Sequence, residues 1–305
     1  MITTLTLNPA FDVHATLDKF NAGHENLAKK VTRDIGGKGI NISRALTASG
    51  IKNKAIVVTG NENAAEFRAG LENERLTYAE IPLLGRIREN ITIHPNNGSE
   101  TRLSFKGFEC DDSLLRDVKL LVNAKDGDIV TFTGSLPEGI TPESAENFLI
   151  DIRKSGAKLV IDSKSISLEQ LRHIKPWLIK PNDEELEAYF GKLDTEKLIA
   201  AAKELHSGGI ENVAVSLGAK GSILVSDEGI FRATPPKIDA VSTIGAGDSM
   251  IAGFIAAETL GVDDESKLRM ASAFGTAACL REGTNPPLPE DISRIAAETT
   301  VEDII

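Results

Sequence analysis

Apolar and polar residues alternate in the first segments of the chain, and further along it short strand-like segments alternate with longer helical ones. Ile2–Leu7 and Phe11–Leu17 alternate with the period of two that is typical of β-strands. The remaining predicted strands are 55–59, 128–133, 158–162, 177–180, 213–216 and 222–226, and the predicted helices are 39–49, 64–74, 113–123, 142–155, 167–173, 183–190, 195–207, 247–260, 265–281 and 289–298. Strand–helix alternation predicts a largely parallel sheet with helices on both faces, and ligands bind such sheets at the carboxyl ends of the strands.

A hairpin pattern interrupts this alternation between residues 88 and 105. The segments 90–94 and 101–105 are strand-like and flank the turn Pro95-Asn96-Asn97-Gly98. We expect the hairpin and the segments at about 11–17 and 30–35 to form a small separate β-sheet.

Composition and charge narrow the class of protein. The 305 residues carry a net charge of −11, which argues against non-specific binding to nucleic acid or to an anionic membrane. The two cysteines lie far apart and outside any metal-binding spacing, as expected of free thiols in a reducing compartment. No secretory signal and no apolar run long enough to span a bilayer is found, so we expect a cytoplasmic protein.

The segment Thr243–Ser249, with the sequence TIGAGDS, carries the strongest chemical signal. Its glycines precede an apolar helical segment, and free N–H groups at a helix start bind anions, phosphates in particular. Asp248 would repel a phosphate but could take a proton from a hydroxyl that attacks one. Aspartate is also a common helix N-cap, and the local sequence leaves both interpretations open.

A second glycine loop, Gly36-Gly37-Lys38-Gly39-Ile40-Asn41, also precedes a helix. Lys38 offers a positive charge and Asn41 suits sugar hydroxyls, although a tight turn with a solvated lysine explains the same residues. Neither a GxxxxGK[ST] phosphate loop nor a GxGxxG dinucleotide fingerprint is present.

Three further segments carry candidate ligand-binding residues, each with a plain structural alternative. Asp12, placed near the end of the first strand, could bind vicinal hydroxyls or form an Asx turn. Asn182 and Glu185 lie on one helical face, where they could hold the water shell of Mg²⁺ or form a capping box. The loop 216–221 could lie against a nucleotide or be a hairpin turn.

Basic residues near the predicted hairpin are the candidates for binding a phosphate already present on the substrate. Arg88, Arg102 and Lys106 lie on or beside it, although a lone surface arginine is usually only solvated. The five histidines have no zinc-ligand spacing, and no GxSxG nucleophile motif occurs.

The order of these motifs resembles that of the ribokinase-like (pfkB) carbohydrate kinases. The matching segments, within Leu5 to about Thr284, are Asn8–Asp12, Gly36–Asn41, Gly134–Pro137, Lys180–Glu185, Ser216–Gly221 and Thr243–Ser249. The resemblance implies a Rossmann-like three-layer α/β/α core with a mostly parallel sheet. It implies one domain over residues 1–305, with a small β-sheet lid from about 10–20, 30–35 and 88–105.

The resemblance also implies ATP and Mg²⁺, and a role for each matching residue. Asp248 would be the base, and the amides of Gly245, Ala246 and Gly247 would form the anion hole. The substrate would meet Asp12, Gly37, Lys38, Gly39, Asn41, Arg88 and Arg102; ATP would meet Lys180, Asn182, Ser216, Gly218, Gly221, Thr243, Gly245 and Gly247; Mg²⁺ would be held through water by Asn182 and Glu185.

Within the family the chain is most similar to kinases that phosphorylate a ketohexose phosphate. Asn8-Pro9-Ala10 and Lys38 are typical of them, and Phe105–Glu109 favours fructose 1-phosphate, which would become fructose 1,6-bisphosphate. Alternatives are the conversion of tagatose 6-phosphate to tagatose 1,6-bisphosphate, 6-phosphofructokinase activity, and a non-catalytic sugar-phosphate sensor. A sensor has no use for a base, which argues against the last. The resemblance further implies a homodimer formed through the lid.

Overall fold

A computed structural model of the protein describes residues 1–304 and shows a mixed α/β architecture over them. The strands are β1 (Ile2–Thr6), β2 (Ala10–Leu17), β3 (Lys30–Gly36), β4 (Lys54–Gly60), β5 (Tyr78–Leu83), β6 (Arg88–Pro95), β7 (Thr101–Leu103), β8 (Ile129–Thr133), β9 (Lys158–Asp162), β10 (Leu178–Ile179), β11 (Asn212–Ser216), β12 (Ser222–Ser226), β13 (Gly229–Thr234) and β14 (Thr300–Asp303). The α-helices are α1 (Lys38–Ala48), α2 (Ala64–Asn73), α3 (Ser113–Val122), α4 (Pro142–Lys154), α5 (Leu168–Ile174), α6 (Asp183–Phe190), α7 (Thr195–Ser207), α8 (Ala246–Leu260), α9 (Asp264–Ala278) and α10 (Pro289–Glu298).

Ten strands form one large sheet in the order β14-β13-β12-β11-β10-β9-β8-β1-β4-β5. The strands from β11 to β5 in this order are parallel, whereas β12, β13 and β14 add antiparallel pairs at one edge. Side chains of the central strands alternate between two hydrophobic cores: Leu159 and Ile161 enter one, and Val160 the other. Helices cover both faces, so the predicted three-layer arrangement is confirmed.

Helix α8 is the most deeply buried helix of the second core. Its residues from Asp248 to Ala257 are all buried, because the segment is apolar and rich in small side chains. A side chain at Gly253 would come within 2.8 Å of the Met270 carbonyl oxygen in α9, so glycine permits the close packing of these two helices. Burial of Phe254 and Ile255 stabilises the fold by about 1.5–3 kcal/mol each. The start of α8 is thereby fixed relative to the sheet.

A separate sheet of four strands has the order β3-β2-β6-β7. Its β6–β7 pair is antiparallel, as the predicted hairpin requires, and β2 pairs with β6 in parallel. The sequence prediction of a small second sheet is therefore confirmed. Asp12, however, lies within β2 of this sheet rather than near the end of β1, because β2 begins directly after the Asn8-Pro9 turn.

Some elements differ from the prediction at the sheet edges. The strands β5, β13 and β14 were not predicted, and the short strand β10 covers only two of the four residues predicted for it. The 216–221 loop joins antiparallel strands through a single 3₁₀ turn, so it is a hairpin connection. Among residues 1–304, no helix has the length and apolar character needed to cross a membrane.

Candidate active site

A cavity of about 470 Å³ lies between the carboxyl ends of the central parallel strands and the four-stranded sheet. Most of the sequence-predicted site residues line it together: Asp12, Gly37, Lys38, Asn41, Arg88, Arg102, Lys180, Asn182, Glu185, Ser216, Gly245, Gly247 and Asp248. These residues come from all parts of the chain, and the fold brings them to one edge of the sheet, where ligands of open α/β sheets bind.

The start of α8 faces this cavity. Gly245 has a φ of 77°, a left-handed conformation that glycine adopts without steric cost, and it turns the chain into the helix. The N–H of Ala246 donates to Thr243 O at 3.3 Å, whereas the N–H groups of Gly247 and Asp248 have no backbone acceptor within residues 1–304. The helix therefore presents free amides and the positive end of its dipole to the cavity.

Asp248 is a buried carboxylate with 6% of its surface exposed, and it is not the N-cap, because Gly245 occupies that position. Its Oδ2 accepts a hydrogen bond from Asn41 Nδ2 at 2.8 Å. Burial raises the pKa of Asp248 from 3.8 to about 6; the charge of Lys38 and the Asn41 hydrogen bond oppose the rise, and Asp162 adds to it. A carboxylate with this pKa is ionised at neutral pH and is a stronger base than an ordinary aspartate.

The glycine loop 36–41 places Lys38 at the first turn of α1, with its side chain towards the body of the protein. Lys38 Nζ donates to Asp162 Oδ2 at 2.9 Å, and Lys180 Nζ lies 4.0 Å from the same oxygen. Burial disfavours the charge of Lys38, but the nearby carboxylates of Asp162 and Asp248 outweigh it and raise the Lys38 pKa. At Asp162 the net shift is downwards: burial favours the protonated carboxyl, but the charges of Lys180 and Lys38 keep the pKa below its ordinary value.

Lys180 completes the positive side of the cavity. A side chain at Gly247 would lie 3.1 Å from Lys180 Nζ, so the ammonium group is next to the free amides at the start of α8. Two ammonium groups, free amides and the Asp248 carboxylate therefore lie around one cavity, and electrostatic interactions between partly buried groups of this kind are stronger than in water.

The four-stranded sheet supplies the opposite wall. Asp12 Oδ1 accepts from Arg102 Nη2 at 3.2 Å and from Asn90 Nδ2 at 3.3 Å. Arg88 donates to Asn8 O and Phe105 O, each at 3.0 Å, and its buried Nε has no hydrogen-bond partner within residues 1–304. Burial lowers the Arg88 pKa, although a guanidinium group is not deprotonated in proteins. This wall thus brings two cations and a carboxylate to the cavity.

Asn182 and Glu185 form a reciprocal capping box at the start of α6. Asn182 Oδ1 accepts from Glu185 N at 2.7 Å, and Glu185 Oε2 accepts from Asn182 N at 3.2 Å. Both side chains also line the cavity, and each oxygen has a second lone pair available. Residues 1–304 contain no group of three or more His, Cys, Asp or Glu side chains suited to a metal ion. Two oxygen-bearing side chains at one cavity wall fit an ion that keeps most of its water ligands, as Mg²⁺ does.

Five predicted site residues do not line this cavity: Gly39, Thr243, Ala246, Gly218 and Gly221. A side chain at Gly39 would lie 2.6 Å from Thr6 Oγ1, so packing of α1 against β1 explains that glycine. Thr243 lines a neighbouring cavity between the small sheet and the loop before α8.

Several cavity residues were missed by reasoning from sequence. Asp162, the buried counter-ion of Lys38, carries only the weak signal of a carboxylate at the end of an apolar strand. Thr6, Asn8 and Thr133 also line the cavity, and a buried side-chain oxygen of each has no hydrogen-bond partner within residues 1–304. Buried polar atoms are rarely left unpaired, so these three oxygens are exceptions within the wall of the cavity.

Comparison with known proteins identifies the family of this chain. Residues 7–291 match the pfkB family carbohydrate kinase model. The chain is 34% identical over 282 residues to a 1-phosphofructokinase of Haemophilus influenzae, covering 91% of this chain and 90% of that protein. It is 35% identical over 309 residues to a 1-phosphofructokinase of Rhodobacter capsulatus, covering 99% and 98%.

A solved structure shows the same fold. Phosphofructokinase-2 from Escherichia coli, in complex with substrates and products, matches with a TM-score of 0.90 and 28% identity over 97% of this chain and 98% of that one. The family match covers most of the chain, and the relatives span nearly its whole length. This protein is therefore a phosphotransferase with a hydroxyl acceptor and belongs to the pfkB family of carbohydrate kinases.

Proposed function

We propose that this protein is a 1-phosphofructokinase, which transfers the γ-phosphoryl group of ATP to the free primary hydroxyl of fructose 1-phosphate. The observation that carries the proposal is the buried Asp248 carboxylate beside free amides at the start of α8. The names of the two curated relatives support fructose 1-phosphate as the acceptor.

In this mechanism Asp248 takes the proton of the sugar hydroxyl as its oxygen attacks the γ-phosphorus. The new P–O bond forms as the bond to the β-phosphate bridging oxygen breaks, giving fructose 1,6-bisphosphate and ADP. A general base is most effective when its pKa lies near the working pH, and the pKa of about 6 at Asp248 meets that condition. Asn41 holds Oδ2 of the carboxylate, which leaves Oδ1 for the hydroxyl.

Catalysis of phosphoryl transfer depends mainly on positioning and on stabilising the negative charge of the transferred group, which cations and free amides can do. We assign this role to the N–H groups of Gly247 and Asp248, together with Lys180 and Lys38. The Ala246 amide is already hydrogen-bonded to Thr243, so it contributes less. We place Mg²⁺, held through water, at Asn182 and Glu185, where it would neutralise phosphate charge when bound.

The four-stranded sheet is proposed as the lid that binds the sugar phosphate. Asp12 accepts from sugar hydroxyls, and Arg88 and Arg102 meet the phosphate already on the sugar. Both arginines line the cavity, which supports this placement, because guanidinium groups bind phosphate oxygens. We assign the nucleotide to the side of Ser216 and the hairpin that follows it.

The outer face of the lid is proposed as the interface of a homodimer. Two apolar rows cross it in register, Val31–Ala15–Ile93 and Val13–Ile91–Leu103. Val31 is 59% exposed and Leu103 is 47% exposed. An exposed apolar sheet face of this kind marks an interaction surface, and a second copy of the chain would cover it symmetrically.

The decisive test compares kcat/KM for fructose 1-phosphate, tagatose 6-phosphate and fructose 6-phosphate, measured side by side with Mg-ATP. The proposal expects the highest value for fructose 1-phosphate. A higher value for either other sugar phosphate would refute the acceptor while retaining the kinase. A protein that binds ATP but releases ADP with none of the three sugar phosphates would refute the activity itself.

A further inference from the structure

The Arg44 side chain is the most completely hydrogen-bonded charged group beside the active site, although it does not line the cavity. It is 6% exposed, in α1, one helical turn after Asn41. Its Nε and Nη2 donate to the two carboxylate oxygens of Glu74, at 2.5 and 2.6 Å, and Nη2 also donates to Ile35 O at 2.7 Å. These contacts fix the guanidinium plane, because both ends of the fork are held.

The remaining nitrogen of Arg44 points towards the site. Nη1 donates to Asn41 Oδ1 at 2.9 Å and to Thr284 Oγ1 at 3.1 Å. A guanidinium has donors only, so the Asn41 atom that faces it must be the amide oxygen. The Asn41 amide nitrogen is thereby turned to Asp248 Oδ2, to which it donates at 2.8 Å.

We propose that Arg44, anchored by Glu74, is a positioning residue that fixes the orientation of the Asn41 amide and through it the carboxylate of Asp248. The inference rests on the proposed role of Asp248 as the base. Without Arg44 the Asn41 amide can flip, and its oxygen would then face a carboxylate and repel it. The base would lose one charge-assisted hydrogen bond and its fixed direction towards the hydroxyl.

The other charged groups around Asp248 do not depend on Arg44. Lys38 and Lys180 favour its ionised form and Asp162 disfavours it, and these three residues pair with one another rather than with Arg44. Loss of the Asn41 hydrogen bond therefore changes the titration of Asp248 in one direction. Its ionised form becomes less favourable, and the acid limb of the kcat profile moves to higher pH.

The test measures kcat, both KM values and the pH profile for Arg44→Lys and for the double variant Arg44→Met/Glu74→Gln. Lysine keeps the charge but lacks the fork geometry, and the double variant leaves no unpaired carboxylate. Each should lower kcat by about tenfold and move its acid limb up by about one pH unit, with the KM for ATP little changed. Arg44→Lys provides the same comparison if the double variant does not fold.

Two further variants separate a positioning role from a general loss of structure. Asn41→Ala should shift the acid limb by a similar amount, and adding Arg44→Lys to it should give no further shift, because both act through one hydrogen bond. Arg68→Met is the control, since Arg68 Nε donates to both carboxylate oxygens of Glu80 outside the cavity, and it should leave the profile unchanged.

If Asn41→Ala shifts the acid limb of the kcat profile but the Arg44 variants do not, the inference is overturned. Additive shifts in the Asn41→Ala/Arg44→Lys variant would overturn it too. The proposed function fails in a different way, if Asp248→Asn keeps the original kcat and profile. The two failures are therefore distinguishable.

Discussion

Replacement of Asp248 by asparagine should lower activity and raise stability at the same time. The substitution keeps the shape of the side chain and its acceptor for the Asn41 N–H but removes the proposed base. General-base catalysis contributes about 10²–10⁴-fold, so kcat should fall at least about a hundredfold with modest changes in KM. The stability gain arises because the folded protein holds an ionised carboxylate that is 6% exposed.

The size of that gain follows from the Asp248 pKa of about 6, compared with 3.8 for an ordinary aspartate. This difference corresponds to about 3 kcal/mol of folding free energy above pH 6. Because the folded pKa is raised, the stabilising contribution of the protonated carboxyl is complete below about pH 4 and is lost as the pH rises through 6. Asp248→Asn should therefore be more stable than the original protein at pH 8 and nearly equal to it at pH 4.

Urea unfolding of both proteins at pH 8, 6 and 4, combined with kcat from a coupled assay of ADP release, measures both effects. A variant with near-original kcat would refute the role of Asp248 as the base. A variant with reduced kcat but the same stability difference at all three pH values would instead refute the raised pKa. The two measurements thus test the chemistry and its electrostatic cause separately.

Three other substitutions test the remaining parts of the site. Arg88→Ala should raise the KM for the sugar phosphate by about tenfold or more and leave kcat nearly unchanged; a change in the KM for ATP alone would move the phosphate site elsewhere. Asp162→Asn removes the shared counter-ion of Lys38 and Lys180, so urea unfolding at pH 7 should show a loss of about 3 kcal/mol or more. Because the folded pKa of Asp162 is lowered, that loss should shrink as the pH falls below about 4, and an equal loss at all pH values would contradict the ion pair. Leu103→Glu should convert the expected dimer to a monomer in sedimentation equilibrium, and an unchanged mass would argue against the lid interface.

The sequence predicted elements well where one residue type dominates a segment. Helix α8 begins within one residue of its predicted start, because an apolar run follows two glycines, and the 95–98 turn correctly located the β6–β7 hairpin. The strands β5, β13 and β14 were missed because they lie towards the two edges of the large sheet. Pairing with a neighbouring strand, rather than their own pattern, makes them strands.

The same limit applies to the site. Asp248 and Lys38 lie in recognisable glycine loops, so the sequence pointed to them directly. Asp162 pairs with Lys38 across 124 residues, and the carboxylate that pairs with Arg44 is that of Glu74, at the end of α2. A charged residue within a helix or at a strand end gives no local sign of such a partner. For Asn182 and Glu185 the sequence left open a capping box or a site for hydrated Mg²⁺. The two are compatible, because the residues that form the capping box also line the cavity.

The division of the cavity between two sheets has an evolutionary consequence. Asp248 and the free amides lie on α8, which is held in the core of the body, whereas Asp12, Arg88 and Arg102 belong to strands of the small sheet. In the proposed mechanism, a substitution in the small sheet can therefore change which sugar is accepted without disturbing the packing that holds Asp248, the proposed base. Acceptor preference can diverge among descendants of one ancestral kinase while the phosphoryl-transfer apparatus stays the same.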